Sequence, residues 1–218
     1  MSMRVLLATA ATLSCLLLLW APAQAEGVSA DFTASVAYGD EGPLLDFTGS
    51  VLLSGAKMRV ELTPALTAEP MVALLDYDAS SLTLLFPDTL NGERYSLDDF
   101  DSIGGFPRVR DALAGEAPTV PDGWKQQSHG TVELDGQQCQ HFSAESQDGL
   151  SVQWWTRADN RPVKVIGQAG DVALTVHITD YDADAAAAAG DFKVPEGYTI
   201  SEPEADMPEA LPNLGGTI

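Results

Sequence analysis

"LLDFTGSVLLSGAKMRVEL", residues 44–62, carries the reading on which the fold depends. Its first half puts Leu45, Phe47, Val51 and Leu53 on one side of an extended chain. Its second half sets Met58, Val60 and Leu62 against Lys57, Arg59 and Glu61. Side chains of a strand alternate between faces, so each half reads as a strand with one apolar and one polar face. Ser54-Gly55 marks an ordinary turn between them. Alternation of this kind belongs to antiparallel sheets that pack one face and wet the other.

The pattern extends in both directions. Upstream, "DFTASVAY" puts Phe32, Ala34, Val36 and Tyr38 on one face, and "EGP" at 41–43 signals a turn. Downstream, "MVALLDYD" and "SLTLLFP" flank a tight connection at Ala79-Ser80, and "GERYSL" follows. Strands resume with "GTVELDGQQCQHFSAES", where Asp135-Gly136 is a two-residue hairpin signal. "LSVQWWTRADNRPVKVIGQ" turns at Ala158-Asp159-Asn160, and "DVALTVHITDY" is one more long strand. About ten strands result, in two blocks.

Between the blocks, residues 96–130 lose the alternation and gain Gly, Pro and Asp. "PRVRDALAG" (107–115) reads as a short helix, with Pro107 in its first turn and Gly115 at its stop. "ADAAAAAGDF" reads as one or two helical turns with Asp184 as N-cap and Gly190 as stop. The expected fold is therefore mainly β with a few helices. It is a strongly bent antiparallel sheet or an unclosed β-barrel, covered by a helical lid from the 96–130 insertion. That domain spans 26–200, and an acidic, Pro-rich tail expected to be disordered fills 201–218.

Residues 1–25 read as a secretory signal peptide: Arg4, an apolar run from Val5 to Trp20, and Ala23-Gln24-Ala25 as the cleavage signal. A periplasmic protein is the expectation. Cleavage leaves Cys139 as the single cysteine, so no intramolecular disulfide forms, and the alternation makes it a small buried residue. With 32 acidic against 11 basic residues, nucleic acid and anionic membrane surfaces are poor partners. Lysine is confined to Lys57, Lys125, Lys164 and Lys193, and a lysine-poor acidic surface suits a high-salt habitat, where self-repulsion is screened.

Catalytic patterns are weak. There is no G-x-S-x-G, no H-E-x-x-H, no cysteine pair for zinc and no Gly-rich phosphate loop. His129, His141 and His177 lie far apart in sequence, although a fold that joined His141 and His177 near Cys139 would make a cluster. Asp180, Asp182 and Asp184 start like a calcium loop with Asp191 at its last position, but Ala185 stands where that loop needs Gly. The sequence thus calls for no enzyme activity, metal or cofactor. What remains is apolar: a bent sheet under a partial cover can enclose a hydrophobic cavity. Its candidate lining is Phe47, Val51, Met58, Val60, Leu74, Leu84, Trp154 and Val176. Of the adjacent tryptophans, Trp154 shares a face with Val152 and Thr156 and is expected inside. Trp155 sits between Gln153 and Arg157 and is expected at the surface.

The order of "FTGSVLLSGAKMRVEL", "ALLDYDASSLTLLFP", "ERYSL", "GTVELDGQQCQHF", "VQWWTRADNRPVKV" and "GDFKVPEGY" resembles the periplasmic LolA/LolB-like lipoprotein-carrier superfamily. It is most similar to a less characterised, domain-of-unknown-function branch. The resemblance spans about residues 31–198. It implies an unclosed barrel of about eleven strands with a helical lid, holding acyl chains or a lipidated protein, as in outer-membrane lipoprotein sorting. It also implies that Arg59, on the strand after the first glycine turn, contacts the lid. Alternation leaves two placements for Arg59: a surface position, or a locally inverted sheet. A monomeric carrier of a hydrophobic ligand is the leading expectation. The alternative is an interaction or stress-sensing module for another envelope protein.

Overall fold

A computed structural model describes residues 27–39, 42–97, 120, 123–147, 149–182 and 184–202. Twelve strands form one sheet. They are β1 (Val28–Tyr38), β2 (Pro43–Ser54), β3 (Lys57–Pro64), β4 (Met71–Asp76), β5 (Ser81–Phe86) and β6 (Asn91–Ser96). Then come β7 (Lys125–Leu134), β8 (Gln137–Glu145), β9 (Leu150–Thr156), β10 (Pro162–Ala169), β11 (Val172–Asp182) and β12 (Thr199–Ser201). The sheet order is β12-β6-β5-β4-β3-β2-β1-β11-β10-β9-β8-β7. Two antiparallel meanders meet where β1 pairs with β11, and the strongly curved sheet does not close.

Register, not composition, assembles the core. One row of facing residues runs Phe142–Trp154–Val165–Val176–Ala34–Phe47–Pro64 across β8 to β3. A second runs Tyr181–Ala30–Val51–Val60–Ala73–Leu84–Glu93, from β11 through β1 to β6. A third runs Val28–Leu53–Met58–Leu75–Leu82–Tyr95. Their apolar members form one buried cluster, so this is the concave face. Asp135-Gly136 has φ of 53° and 77°, the left-handed pair of a two-residue hairpin.

The polar face is partly covered too, by the chain's own end. Residues 184–202 run across it as a strap. Near its start, Ala185 and Ala187 lie against Gly27, so close that a Cβ on Gly27 would strike the Ala185 carbonyl oxygen. Farther on, Arg59 donates through a terminal guanidinium nitrogen to the Asp191 carbonyl oxygen at 3.3 Å. Val194, Tyr198 and Ile200 then pack on Val72, Leu74 and Leu85. Finally β12 adds to the β6 edge as a parallel strand.

This strap corrects one expectation. Residues 184–190 form irregular chain and turns, not helix. Alanine's helix propensity is a few tenths of a kcal/mol per residue, and close packing on Gly27 overrides it. No α-helix occurs among the described residues, so the "few helices" of the sequence reading are not found there. The 107–115 helix, most of the lid insertion, the signal peptide and residues 203–218 of the tail lie outside the described residues. One strand enters the stretch read as the insertion: β7 begins at Lys125, before the expected restart at Gly130.

Gly49 shows how tightly the sheet packs. It faces Phe32 in register, and a Cβ there would fall onto the Phe32 ring and the Glu61 carbonyl oxygen. Gly49→Ala is expected to destabilise the fold by about 1–3 kcal/mol through overpacking. A lower urea midpoint at an unchanged slope is the measurement that checks it.

Candidate functional site

The concave face gathers seven of the eight residues expected to line a cavity. Phe47, Val51, Met58, Val60, Leu84, Trp154 and Val176 all belong to its single cluster. Leu74 does not. It faces the other side with Val72 and Leu85, beneath the strap. "MVALLDYD" gives no alternation to read, because β4 is covered on both faces; its burial is unbroken from Met71 to Leu75. Arg59 lies on the polar face, paired with Glu61 at 2.7 Å and reaching the strap. Of its two placements the surface one is found, and besides Glu61 it meets the Asp191 carbonyl of the strap.

The concave face keeps a few polar groups. Thr156 is buried. The Tyr181 hydroxyl is buried without a hydrogen-bond partner among the described residues, and the Arg161 guanidinium lies 4.8 Å from its ring centre. At the β6 edge the Tyr95 hydroxyl donates to Glu93 Oε2 at 2.5 Å. Burial, then the Glu93 carboxylate, push the Tyr95 phenol well above its usual range. Leu97, Val120 and Trp124, which flank the undescribed stretch, also pack on the concave cluster.

The polar face carries a different array. His141, Trp155, Lys164, His177, Thr33 and Thr48 form one cross-strand row. His129 is the extra residue of a bulge between Ser128 and Gly130, and its ring stacks on His141 at 4.4 Å. His141 stacks on Trp155 at 4.4 Å and 6°, and Lys164 Nζ sits 5.6 Å from the Trp155 ring centre on β10's side. Trp155 is half-buried, whereas Trp154 is 0% exposed, so the pair divides between the faces as alternation requires. A cavity of about 330 Å³ opens on this outer face, lined by Thr33, Ser35, Asp46, Thr48, Thr175 and His177 among others. Ala34, Phe47 and Ala65 complete its lining beside the hydroxyls and the carboxylate.

Chemistry at the histidines is not assembled. Two strands, carrying Trp155 and Lys164, separate His141 from His177. Cys139 is 1% exposed, and burial pushes its thiol pKa up, away from reactivity. No group of three or more His, Cys, Asp or Glu able to hold a metal occurs among the described residues. The aspartates of the calcium-like stretch cap backbone instead: Asp182 accepts from Asp184 N and Asp191 from Ala188 N.

The architecture is that of a strongly curved, unclosed antiparallel half-barrel. No protein-family model matches the chain, and no curated protein matches it significantly. Solved structures do. An uncharacterised conserved protein from Thermus thermophilus is similar at a TM-score of 0.51 and 13% identity, over 79% of this chain and 90% of that one. At that identity the likeness is one of fold. A LolA superfamily protein from Nitrosomonas europaea is similar at a TM-score of 0.40 and 12% identity, over 83% and 96% of the two chains. The Mycobacterium tuberculosis lipoprotein LppX is similar at 0.43 and 10%, over 72% and 88%.

Two predictions test this geometry. Trp154→Ala should destabilise by about 3–5 kcal/mol, and Trp155→Ala by no more than about 1 kcal/mol, in urea unfolding. The second concerns pH. Burial and then His129 hold His141 below the ordinary imidazole range, and burial and then Lys164 do the same to His177. The unfolded chain binds those protons more readily, so stability declines as pH falls below about 6.5 toward the lower folded values. Thermal unfolding should therefore move to lower temperature between pH 7.5 and 5.5, and His141→Gln with His177→Gln should flatten that decline.

Proposed function

We propose that this chain is a periplasmic binding or carrier protein for a hydrophobic, acyl-chain-like ligand held against the concave face of the sheet. The observation that carries the reading is the face itself. One apolar row runs from β8 to β3 through Trp154, Val176 and Phe47, and a second from β1 to β5 through Val51, Val60 and Leu84. A sheet that curls but does not close keeps one side open for entry. Apolar lining supplies affinity by area, and the few polar groups at its ends orient the ligand.

In this reading the signal peptide exports the protein and the 96–130 insertion covers the open side; both rest on the sequence. The strap covers part of the polar face, and the stacked histidines and tryptophan there have no part in ligand binding. A role as an enzyme gains no support from His141 and His177, which two strands keep apart.

A fluorescent acyl probe with an uncharged head should bind saturably and be displaced by dodecanol. Mass spectrometry of an organic extract of the purified protein should recover a co-purified lipid. Absence of saturable probe binding together with a lipid-free extract overturns the proposal.

A further inference from the structure

We infer that the ligand of the concave face carries a primary ammonium group beside its acyl chain, held by Glu93. This rests on the acyl-binding reading above and names the head that goes with the tail.

Two apolar rows of the concave face end in polar groups on the same strand. Val51–Val60–Ala73–Leu84 ends at Glu93, and Leu53–Met58–Leu75–Leu82 ends at Tyr95. Both side chains therefore lie on the ligand side of β6. The 2.5 Å hydrogen bond from Tyr95 fixes one carboxylate oxygen of Glu93. The other oxygen makes no ion pair among the described residues. Arg94, the adjacent base in sequence, belongs to the opposite face, where its Nε donates to Thr83 Oγ1 at 3.5 Å. Arg161, at the far wall, is already taken by Asp159 at 3.1 Å and by the Tyr181 ring.

A half-buried carboxylate at the end of an apolar row calls for a charge partner, because leaving it unpaired forfeits the compensation for its lost hydration. An ammonium group supplies up to three donors and the opposite charge. An anionic head would meet Glu93 at close range and a chain of net charge −21 at long range. An uncharged head would leave Glu93 as it is. The sheet thus reads a ligand from tail to head: apolar rows first, carboxylate last.

The test compares dodecylammonium, dodecanol and dodecanoate at equal chain length and physiological salt, by displacement of the uncharged acyl probe. Wild type should favour dodecylammonium over dodecanol by about tenfold, the scale of one charge-assisted hydrogen bond, and should bind dodecanoate most weakly. Glu93→Gln should remove the preference and keep dodecanol binding. Glu133→Gln, at an exposed site on β7, should keep the preference, which separates Glu93 from the general field of the chain. A short-chain phosphatidylethanolamine and a lauroylated lysine peptide in the same assay distinguish a lipid amine from a lysine amine; Glu93-dependent binding of either supports the inference. Dodecanol binding with no preference for dodecylammonium overturns it and leaves the acyl-binding reading standing. Binding of neither overturns both. If Glu93→Gln does not fold, the wild-type ratio decides, and a ratio near one overturns the inference.

Discussion

A sheet with one strongly apolar face must remove that face from water, and among the described residues there is no second sheet or helix layer to do it. Curling the sheet on itself is the available solution. The constraint propagates through everything else. It demands long, well-registered strands, which β1, β2 and β11 provide with 11, 12 and 11 residues at the centre of the order. It demands close approach of large side chains to the backbone, and Gly49 under Phe32 provides that. It also concentrates the largest side chains on the inner face, so that Trp154, Phe32 and Met58 are among the most buried in the protein.

The second constraint is the sheet's two edges. On one side the strap covers the β6 edge, pairing β12 with β6 and packing Ile200 against Gly92. On the other, β7 carries a bulge at His129 and polar side chains along its length, features that discourage another strand from pairing there. Arg59 joins these two themes. As a long cation on the polar face of β3 it meets Glu61 beside it and the strap across the sheet, so one side chain fastens a segment 132 positions away in sequence.

Alternation made most of this legible. Residues 44–62 revealed their two faces outright, and the same rule divided Trp154 from Trp155. It failed where both faces are covered. In β4 every position from Met71 to Leu75 is buried, so nothing in the sequence could assign Leu74 to the outer cluster. It failed again at residues 185–189, where local propensity argued for helix and packing on Gly27 decided otherwise. Glu93 was missed for a related reason. "GERYSL" was read as a strand, but its partner register with Leu84 was needed to show that a carboxylate terminates an apolar row. The signal existed in the pattern: Glu93 and Tyr95 are polar residues at the positions where a strand of this sheet would otherwise present apolar ones.

The charge of the chain and the chemistry of its concave face are then two parts of one arrangement. An excess of acidic residues on the outer surface is compatible with a cationic cargo and unfavourable for an anionic one, at a range set by ionic strength. If the excess reflects adaptation to high salt, the Debye length falls to about 3 Å at 1 M and the long-range contribution vanishes. In the proposed function, discrimination must then come from groups in contact with the ligand. A carboxylate held by a neighbouring phenol and placed at the end of a buried apolar row is screened far less than one on the surface. Glu93 is therefore the kind of determinant that keeps its effect in the conditions where the rest of the acidic surface loses it.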